Sequence, residues 1–419
     1  MFTIYTLFIR IYSTLIALAA PFNAKAKLWH DGRLNWRART QAQASALANH
    51  RVIWVHAASL GEFEQGRPLI EAIKNQYPEW QIVLSFFSPS GYEIRKNYPF
   101  ADLICYLPAD TPENARDFIK MIQPTAAVFV KYEFWGNYLK ALKNRGVPTL
   151  LISGIFRPSQ PFFKWYGAFW RSMLGCFNQF FVQNEASAKL LQSVGFQNIT
   201  VAGDTRVDRV LQIAEKAATN DVVATFIKEA QANERPVFIA GSSWGADEKV
   251  YLPVLQSPEF QDYKLIIAPH DPALLDEKIT NLDHSVRYSQ AQPEQVVDKR
   301  VLIIDNIGML NTLYRYGTVA YIGGGFGKGI HNTLEPAAFG LPVIFGPKYH
   351  KFEEARQLIA AGGAFSVETS SELKDVLLKL QDKNRYQQAS TAVTAWLRAN
   401  EGATLKILSF LLQIPDKNS

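Results

Sequence analysis

The chain has 419 residues, 48% hydrophobic and 20% charged, a globular composition long enough for about two to three domains, which excludes a disordered chain. Its two cysteines, Cys105 and Cys176, lie in apolar surroundings without CxxC or Cys/His spacing; this suggests neither a disulfide framework nor a zinc site, and reads as buried thiols in a reducing compartment. The formal net charge of +6 suits nucleic acid, anionic lipid or an acidic substrate, and its sign does not choose between them.

Positive charge is placed close to the N-terminus. Phe2 to Ala20 is apolar apart from Arg10 and some hydroxyls, and it ends at Pro21 before Lys25, Lys27, Arg33, Arg37 and Arg39. At about 1.5 Å per residue such a helix just reaches across a hydrocarbon core of about 30 Å, so residues 1–24 read as a membrane-anchoring helix with a cytoplasmic basic flank. Arg10 weakens a full span. An interfacial helix, with Trp29 and Trp36 at headgroup depth, is the nearby alternative. A cleaved signal peptide would need a positive region ahead of the apolar part, although Ala24-Lys25-Ala26 is a passable cleavage site.

Beyond this segment, apolar runs alternate with helix-period stretches. Residues 51–56, 81–86, 103–107, 126–130, 149–152, 179–182 and 201–204 read as strands of one series. A more helical, alanine-rich and charged stretch, 206–235, reads as the linker region. A second series follows at 237–240, 263–268, 301–304, 319–322 and 343–345, with helical segments to Leu412. The pattern predicts an α/β protein of two Rossmann-like domains, 25–205 and 236–419, that face each other across a ligand-binding cleft.

Candidate chemistry lies where strands end. Glu62 follows the first strand on a glycine-containing turn, where partial desolvation suits a carboxylate to deprotonate a hydroxyl; Ser59 and Glu62 equally form the SxxE capping box of a helix. Glu133 follows the strand 126–130 beside Phe134 and Trp135 and is either functional or an ordinary loop Glu among core aromatics. Arg206 ends the first series, placed to face a phosphate or to pair with Asp204 or Asp208. The segment from Tyr321 to Pro336, YIGGGFGKGIHNTLEP, follows a strand and precedes a helix-like stretch, an arrangement that lets backbone approach an anion. It fits neither GxGxxG nor the P-loop, since Lys328 or Ile330 stands where the last glycine should be and Gly329 where Ser or Thr is needed.

Taken together, HAASLGEFEQGRPLI, YLPADTPENARDFI, KYEFWGNY, FFVQNEASAKLLQSVGF, VAGDTRVDRV, IAGSSWGADE, IIAPHDP and GGFGKGIHNTLEPAAFGLPVIFGP resemble the 3-deoxy-D-manno-octulosonic acid (Kdo) transferases of lipopolysaccharide synthesis, in the family's order over nearly the whole chain. The resemblance implies a GT-B fold with an acceptor-binding first domain and a CMP-Kdo-binding second domain. It further implies CMP-Kdo as donor, a lipid A precursor as acceptor, attachment to the cytoplasmic face of the inner membrane, no nucleic-acid partner, and no metal or other cofactor. Glu62 looks like the general base of an inverting displacement, and Glu133 and Arg206 match positions that stabilise the transition state. Pro269, His270, the turn Ile307, Gly308 and Met309, and Asn332, Thr333, Leu334 and Glu335 match the CMP-binding segments, with Glu335 suited to a ribose. Three positions depart from the commoner pattern: YEFWG stands for TELWP, His270 for Arg and Arg206 for Lys. Another GT-B enzyme using a UDP-sugar, or a non-catalytic membrane-bound scaffold, are the competing readings.

Overall fold

The computed structural model describes residues 1–274 and 277–415, so the last four residues of the expected second domain lie outside it. The chain divides into two compact units. One comprises Met1–Asp208 together with the segment from Asn400, and the other is Arg209–Ala399.

The first unit is built on seven parallel strands: β1 (Val52–Ala57), β2 (Gln81–Phe86), β3 (Leu103–Tyr106), β4 (Ala126–Val130), β5 (Thr149–Gly154), β6 (Gln179–Val182) and β7 (Ile199–Val201). Their order is β3-β2-β1-β4-β5-β6-β7. Parallel neighbours need crossovers, and helices on both faces bury strands completely. All six residues of β1 are accordingly buried. Trp54 joins one core with Phe118, Phe129 and Tyr138, whereas Ile53 and Val55 join the other with Phe63 and Ile70, as a two-residue side-chain period requires.

The second unit repeats the plan with β8 (Val237–Ser243), β9 (Lys264–Pro269), β10 (Ser285–Arg287), β11 (Val301–Ile303), β12 (Val319–Ile322), β13 (Val343–Phe345) and β14 (Ala364–Ser366), in the order β10-β11-β9-β8-β12-β13-β14. Strands β10 and β14 are absent from the sequence-based reading. Both are three-residue edge strands without a fully buried apolar run, so no pattern marks them.

Two expected boundaries need correction. The stretch 206–235 is helical as read, in the helices Thr205–Lys216 and Asp221–Ala232, but from Arg209 it belongs to the second compact unit. The helix Asp221–Ala232 buries Val223, Phe226, Ile227 and Ala230, an i, i+3, i+4, i+7 stripe, and Asn220 caps its start by accepting from the Val223 N–H. The expected second domain also does not run to the C-terminus. The helix Ala403–Leu412 places Ala403, Ile407, Leu408 and Leu411 in a core of the first unit. Asp208 accepts hydrogen bonds from the Gly402 and Thr404 N–H groups at 2.6 Å each, and Arg51 Nη2 donates to the carbonyls of Leu411 and Ile414.

The expected N-terminal helix is present as Phe2–Ala19, long and apolar enough to cross a membrane by length and composition. One face rests on the first unit. Tyr5 OH donates to Asp110 Oδ2 at 2.6 Å, and the Phe2 ring packs on Phe169 at 5.1 Å. The opposite face, with Ile4, Leu7, Phe8, Ile11, Leu15 and Leu18, is exposed. Trp29 and Trp36 do not face outward as expected. Trp29 lies under the Arg33 guanidinium, 3.8 Å away, and Trp36 packs on Phe118. Arg33 is likewise interior: its guanidinium donates to the carbonyls of Trp29, Phe87 and Leu107, and burial lowers its pKa to about 9.

Replacing Asp208 by Ala leaves the two N–H groups at the start of Ala403–Leu412 without their acceptor. The expected cost is about 1–3 kcal/mol, read as a lowered unfolding midpoint in urea with the secondary structure retained.

Candidate active site

In each sheet the strand order reverses beside the first strand, between β1 and β4 in one and between β8 and β12 in the other. Crossovers leave such a point in opposite directions, so the carboxyl ends there are left open to ligands. The sequence-predicted residues of both units gather at these ends.

In the first unit, Glu62 sits in the first turn of the helix Leu60–Gln76, which directly follows β1. The expected capping box is not closed. The Ser59 side chain makes no cap to the helix N–H groups; instead its hydroxyl donates to Glu62 Oε2 at 2.9 Å. The two side chains thus hold each other, and the carboxylate keeps acceptor capacity in hand. Gly61, next to it, is exposed, and a Cβ there would meet nothing within 4 Å. Glu62 itself is half-buried. Its pKa is raised above the ordinary carboxylate range, by burial first and then by the charge of Glu133, against the lowering effects of Ser59 and His56.

Glu133, in the loop after β4, is only 7% exposed. Its Oε2 accepts from Trp135 Nε1 at 2.6 Å and lies 3.1 Å from His56 Nε2. It thus lies in a loop among aromatics, as one of the two readings has it. It is a buried carboxylate whose charge reaches Glu62. Arg206, at the start of the helix Thr205–Lys216, is turned onto Asp204: Nε and Nη2 donate to both carboxylate oxygens, the shortest contact being 2.6 Å. Burial works to raise the Asp204 pKa, but the Arg206 charge and hydrogen bonds outweigh it and hold it below the usual range. The neighbouring Thr205 fixes this corner to the helix of Glu62, since its hydroxyl donates to the Gln65 carbonyl.

In the second unit, the glycine-rich turn after β12 is tied to β8. The Gly323 N–H donates to the Gly241 carbonyl, and the Gly324 N–H donates to Asp247 Oδ2 at 2.9 Å. Asp247 also accepts from the Trp244 N–H and from Tyr321 OH. These three donors close a fully buried carboxylate that the sequence-based reading does not single out. Glycine is needed for this approach: a Cβ on Gly323 would stand 2.2 Å from the Ser242 carbonyl oxygen, and one on Gly325 2.6 Å from Gly346 backbone. The helix-like stretch expected after the turn is only Leu334–Ala337.

Pro269 ends β9, and His270 follows with its N–H on the Ser243 carbonyl. Its ring stacks between Trp244, at 4.2 Å, and His331, at 4.6 Å. Glu335 is half-buried and accepts from Asn332 Nδ2 at 3.0 Å, while the Asn332 Oδ1 caps the Leu334 N–H. Thr333 and Leu334 are fully buried. Ile307 is exposed and Gly308 adopts φ 101°, just ahead of the short helix Leu310–Leu313. Met309 lies beside Asn306, whose Nδ2 stands 2.7 Å from its sulfur. Leu310 and Tyr314 reach Gly241 of β8, so this turn belongs to the same end of the sheet. His56, Trp135, Trp244 and Asp247 escape the sequence-based reading because each sits in, or beside, an apolar or glycine-containing run that reads as structure.

Two Rossmann-like units of this kind are the fold of the GT-B class. A solved structure of UDP-GlcNAc 2-epimerase from Neisseria meningitidis bound to UDP-GlcNAc has this fold, with a TM-score of 0.59 at 15% identity over 87% of this chain and 100% of that one. Residues 34–209 match the family model described as 3-deoxy-D-manno-octulosonic-acid transferase (kdotransferase). The Kdo transferase of Bordetella pertussis is 28% identical over 433 aligned positions, 97% of this chain and 98% of that protein. That of Haemophilus influenzae is 26% identical over 390, covering 87% and 88%. The chain is thus similar to Kdo transferases, a class of glycosyltransferase, over nearly its whole length.

Gly323→Ala forces backbone apart where β12 meets β8. It is expected to destabilise the second unit by about 1–3 kcal/mol or more, seen as an earlier thermal transition.

Proposed function

We propose that this protein transfers Kdo from CMP-Kdo to a hydroxyl of a lipid A precursor in the inner core of lipopolysaccharide, by an inverting displacement. The observation that carries this reading is Glu62, a half-buried carboxylate with a raised pKa beside open space at the first switch point. A base of that kind takes the proton of the attacking hydroxyl as the oxygen bonds to the anomeric carbon, while the bond to the CMP phosphate breaks. Glu133 lies too deep to touch substrate and acts through its charge on Glu62. Arg206, paired with Asp204, contributes to the local field.

The CMP moiety is assigned to the second unit. Glu335, steadied by Asn332, suits the ribose hydroxyls, and the backbone of residues 269–270 and 307–309 lines the same end of that sheet. His270, at a position where the family resemblance more commonly has Arg, is the middle ring of the Trp244–His270–His331 stack. The stack supplies aromatic faces and ring N–H groups there rather than a permanent guanidinium charge.

Membrane attachment is assigned to the exposed face of Phe2–Ala19. A spanning helix would have to leave the Tyr5–Asp110 hydrogen bond, whereas a helix lying in the interface keeps it. A groove of about 710 Å³ beside this helix, lined by Phe2, Thr6, Leu7, Arg116, Lys140 and Arg145, adds apolar surface with a cationic rim on the same side. Exposed Lys25 and Lys27 extend that charge, which suits the anionic cytoplasmic leaflet of the inner membrane.

Membranes carrying the protein are expected to release CMP and produce a heavier lipid when given CMP-Kdo and a tetraacyl lipid A precursor. Release of UDP from a UDP-sugar, with none from that pair, overturns the reading. Glu62→Gln is expected to lower the rate about 10²–10⁴-fold with the fold intact. Because the carboxyl pKa is raised and only the ionised form accepts a proton, wild-type activity rises with pH along a limb above the ordinary carboxylate range. Deleting residues 1–20 is expected to move most of the protein from membranes to the soluble fraction; retained binding would place the anchor elsewhere.

A further inference from the structure

His56 is fully buried in β1, between Ser85 of β2 and Phe129 of β4. Both ring nitrogens have partners. Nδ1 stands 2.9 Å from the Ser85 hydroxyl and 3.1 Å from the Ser85 carbonyl. Nε2 stands 3.1 Å from Glu133 Oε2 and 3.0 Å from Trp135 Nε1. On the outer sides, Trp54 Nε1 donates to the Ser85 hydroxyl at 2.8 Å, and Trp135 Nε1 donates to Glu133 at 2.6 Å.

The carboxylate fixes the Glu133 end of this chain. An indole N–H only donates and an ionised carboxylate only accepts. Nδ1 faces both the Ser85 hydroxyl, which accepts from Trp54 and can donate onward, and the Ser85 carbonyl, which can only accept. Facing a carboxylate, Nε2 carries a proton and gives it to Glu133, which also receives the Trp135 N–H. The close approach of Trp135 Nε1 to Nε2 follows, because both N–H groups converge on one carboxylate oxygen. The opposite neutral tautomer would set an Nε2 lone pair against that oxygen.

We propose that His56 is a positioning residue for the transfer reaction: through the buried relay Trp54–Ser85–His56–Glu133–Trp135 it fixes the Glu133 carboxylate and offsets the charge that Glu133 imposes on Glu62. The proposal rests on the reading of Glu62 as base. Buried as it is, His56 does not touch substrate. The charged groups within its influence are Glu133 after β4, Glu62 on the helix after β1, and Asp110 after β3. Asp110 is itself held by Tyr5 OH and by the N–H groups of Asn137 and Tyr138. Glu62 is raised by burial and by Glu133, and His56 works in the other direction.

The test is kcat/KM for CMP release against pH, on the full membrane-bound chain with CMP-Kdo and a tetraacyl lipid A precursor, for wild type, His56→Gln, Ser85→Ala and Glu62→Gln. His56→Gln keeps an N–H donor and removes the imidazole. Its plateau is expected to fall about tenfold, with the acid limb displaced to higher pH by about half a unit or more. Ser85→Ala keeps the imidazole and removes the hydroxyl that orders it; its plateau is expected to fall several-fold with little displacement of the limb. A His56→Gln enzyme with the wild-type limb, whatever its plateau, overturns the relay, since packing alone does not move a pH profile. Should His56→Gln fail to fold, Ser85→Ala decides, and wild-type activity in it overturns the relay. Activity retained in Glu62→Gln overturns the parent reading instead, and a dead Glu62→Gln beside a wild-type-like His56→Gln overturns the relay only.

Discussion

The reversal of strand order beside β1 and β8 is the constraint on which the rest depends. A parallel sheet buries its strands on both faces, so polar side chains and spare backbone groups are tolerated only where the crossovers diverge. The first unit uses that opening for charge: Glu62, Glu133 and His56 all follow or end the two strands that flank it. The second uses its opening for close backbone approach, with Gly323 against Ser242 and Gly325 against Gly346. The same architectural gap is thus filled by two kinds of chemistry, one suited to moving a proton and one to holding an anionic donor.

Two carboxylates with raised pKa values show why burial alone does not identify a base. Asp247 is fully buried, and its donors are the Gly324 and Trp244 N–H groups and Tyr321 OH. Its work is to tie the glycine turn to the start of the helix Gly245–Leu255. Glu62 is half-buried, has the Ser59 hydroxyl as side-chain partner and borders open space at Gly61. A group that is satisfied on all sides is structural, whereas one raised by burial and a neighbouring charge, and still open, can exchange a proton.

Much of this was legible before any coordinates. Long apolar runs such as Val52–Ala57 and Ala126–Val130 are strands because only a doubly covered sheet accommodates them, and Glu62 stands out as a charge at the end of one. What was hidden depended on partners distant in the chain. The pattern of Ala403–Leu412 announces a helix, yet nothing in it says that Asp208 and Arg51 hold it to the first unit. Trp29 and Trp36 read as interfacial aromatics because their companions, Arg33 with Phe87 and Phe118, come from elsewhere in sequence or serve as their cover. His56 is invisible for the opposite reason: it sits inside an apolar strand, and only Ser85 and Glu133, 29 and 77 residues away, give it a role.

The central claim is that Glu62 acts as a base in a single displacement at the anomeric carbon of Kdo. The most direct measurement is the anomeric configuration of the newly formed glycosidic bond, read by NMR on the product of CMP-Kdo and a tetraacyl lipid A precursor. Inversion relative to the donor is the predicted result. Retention would contradict the account, because it requires a route that one base at this position does not provide.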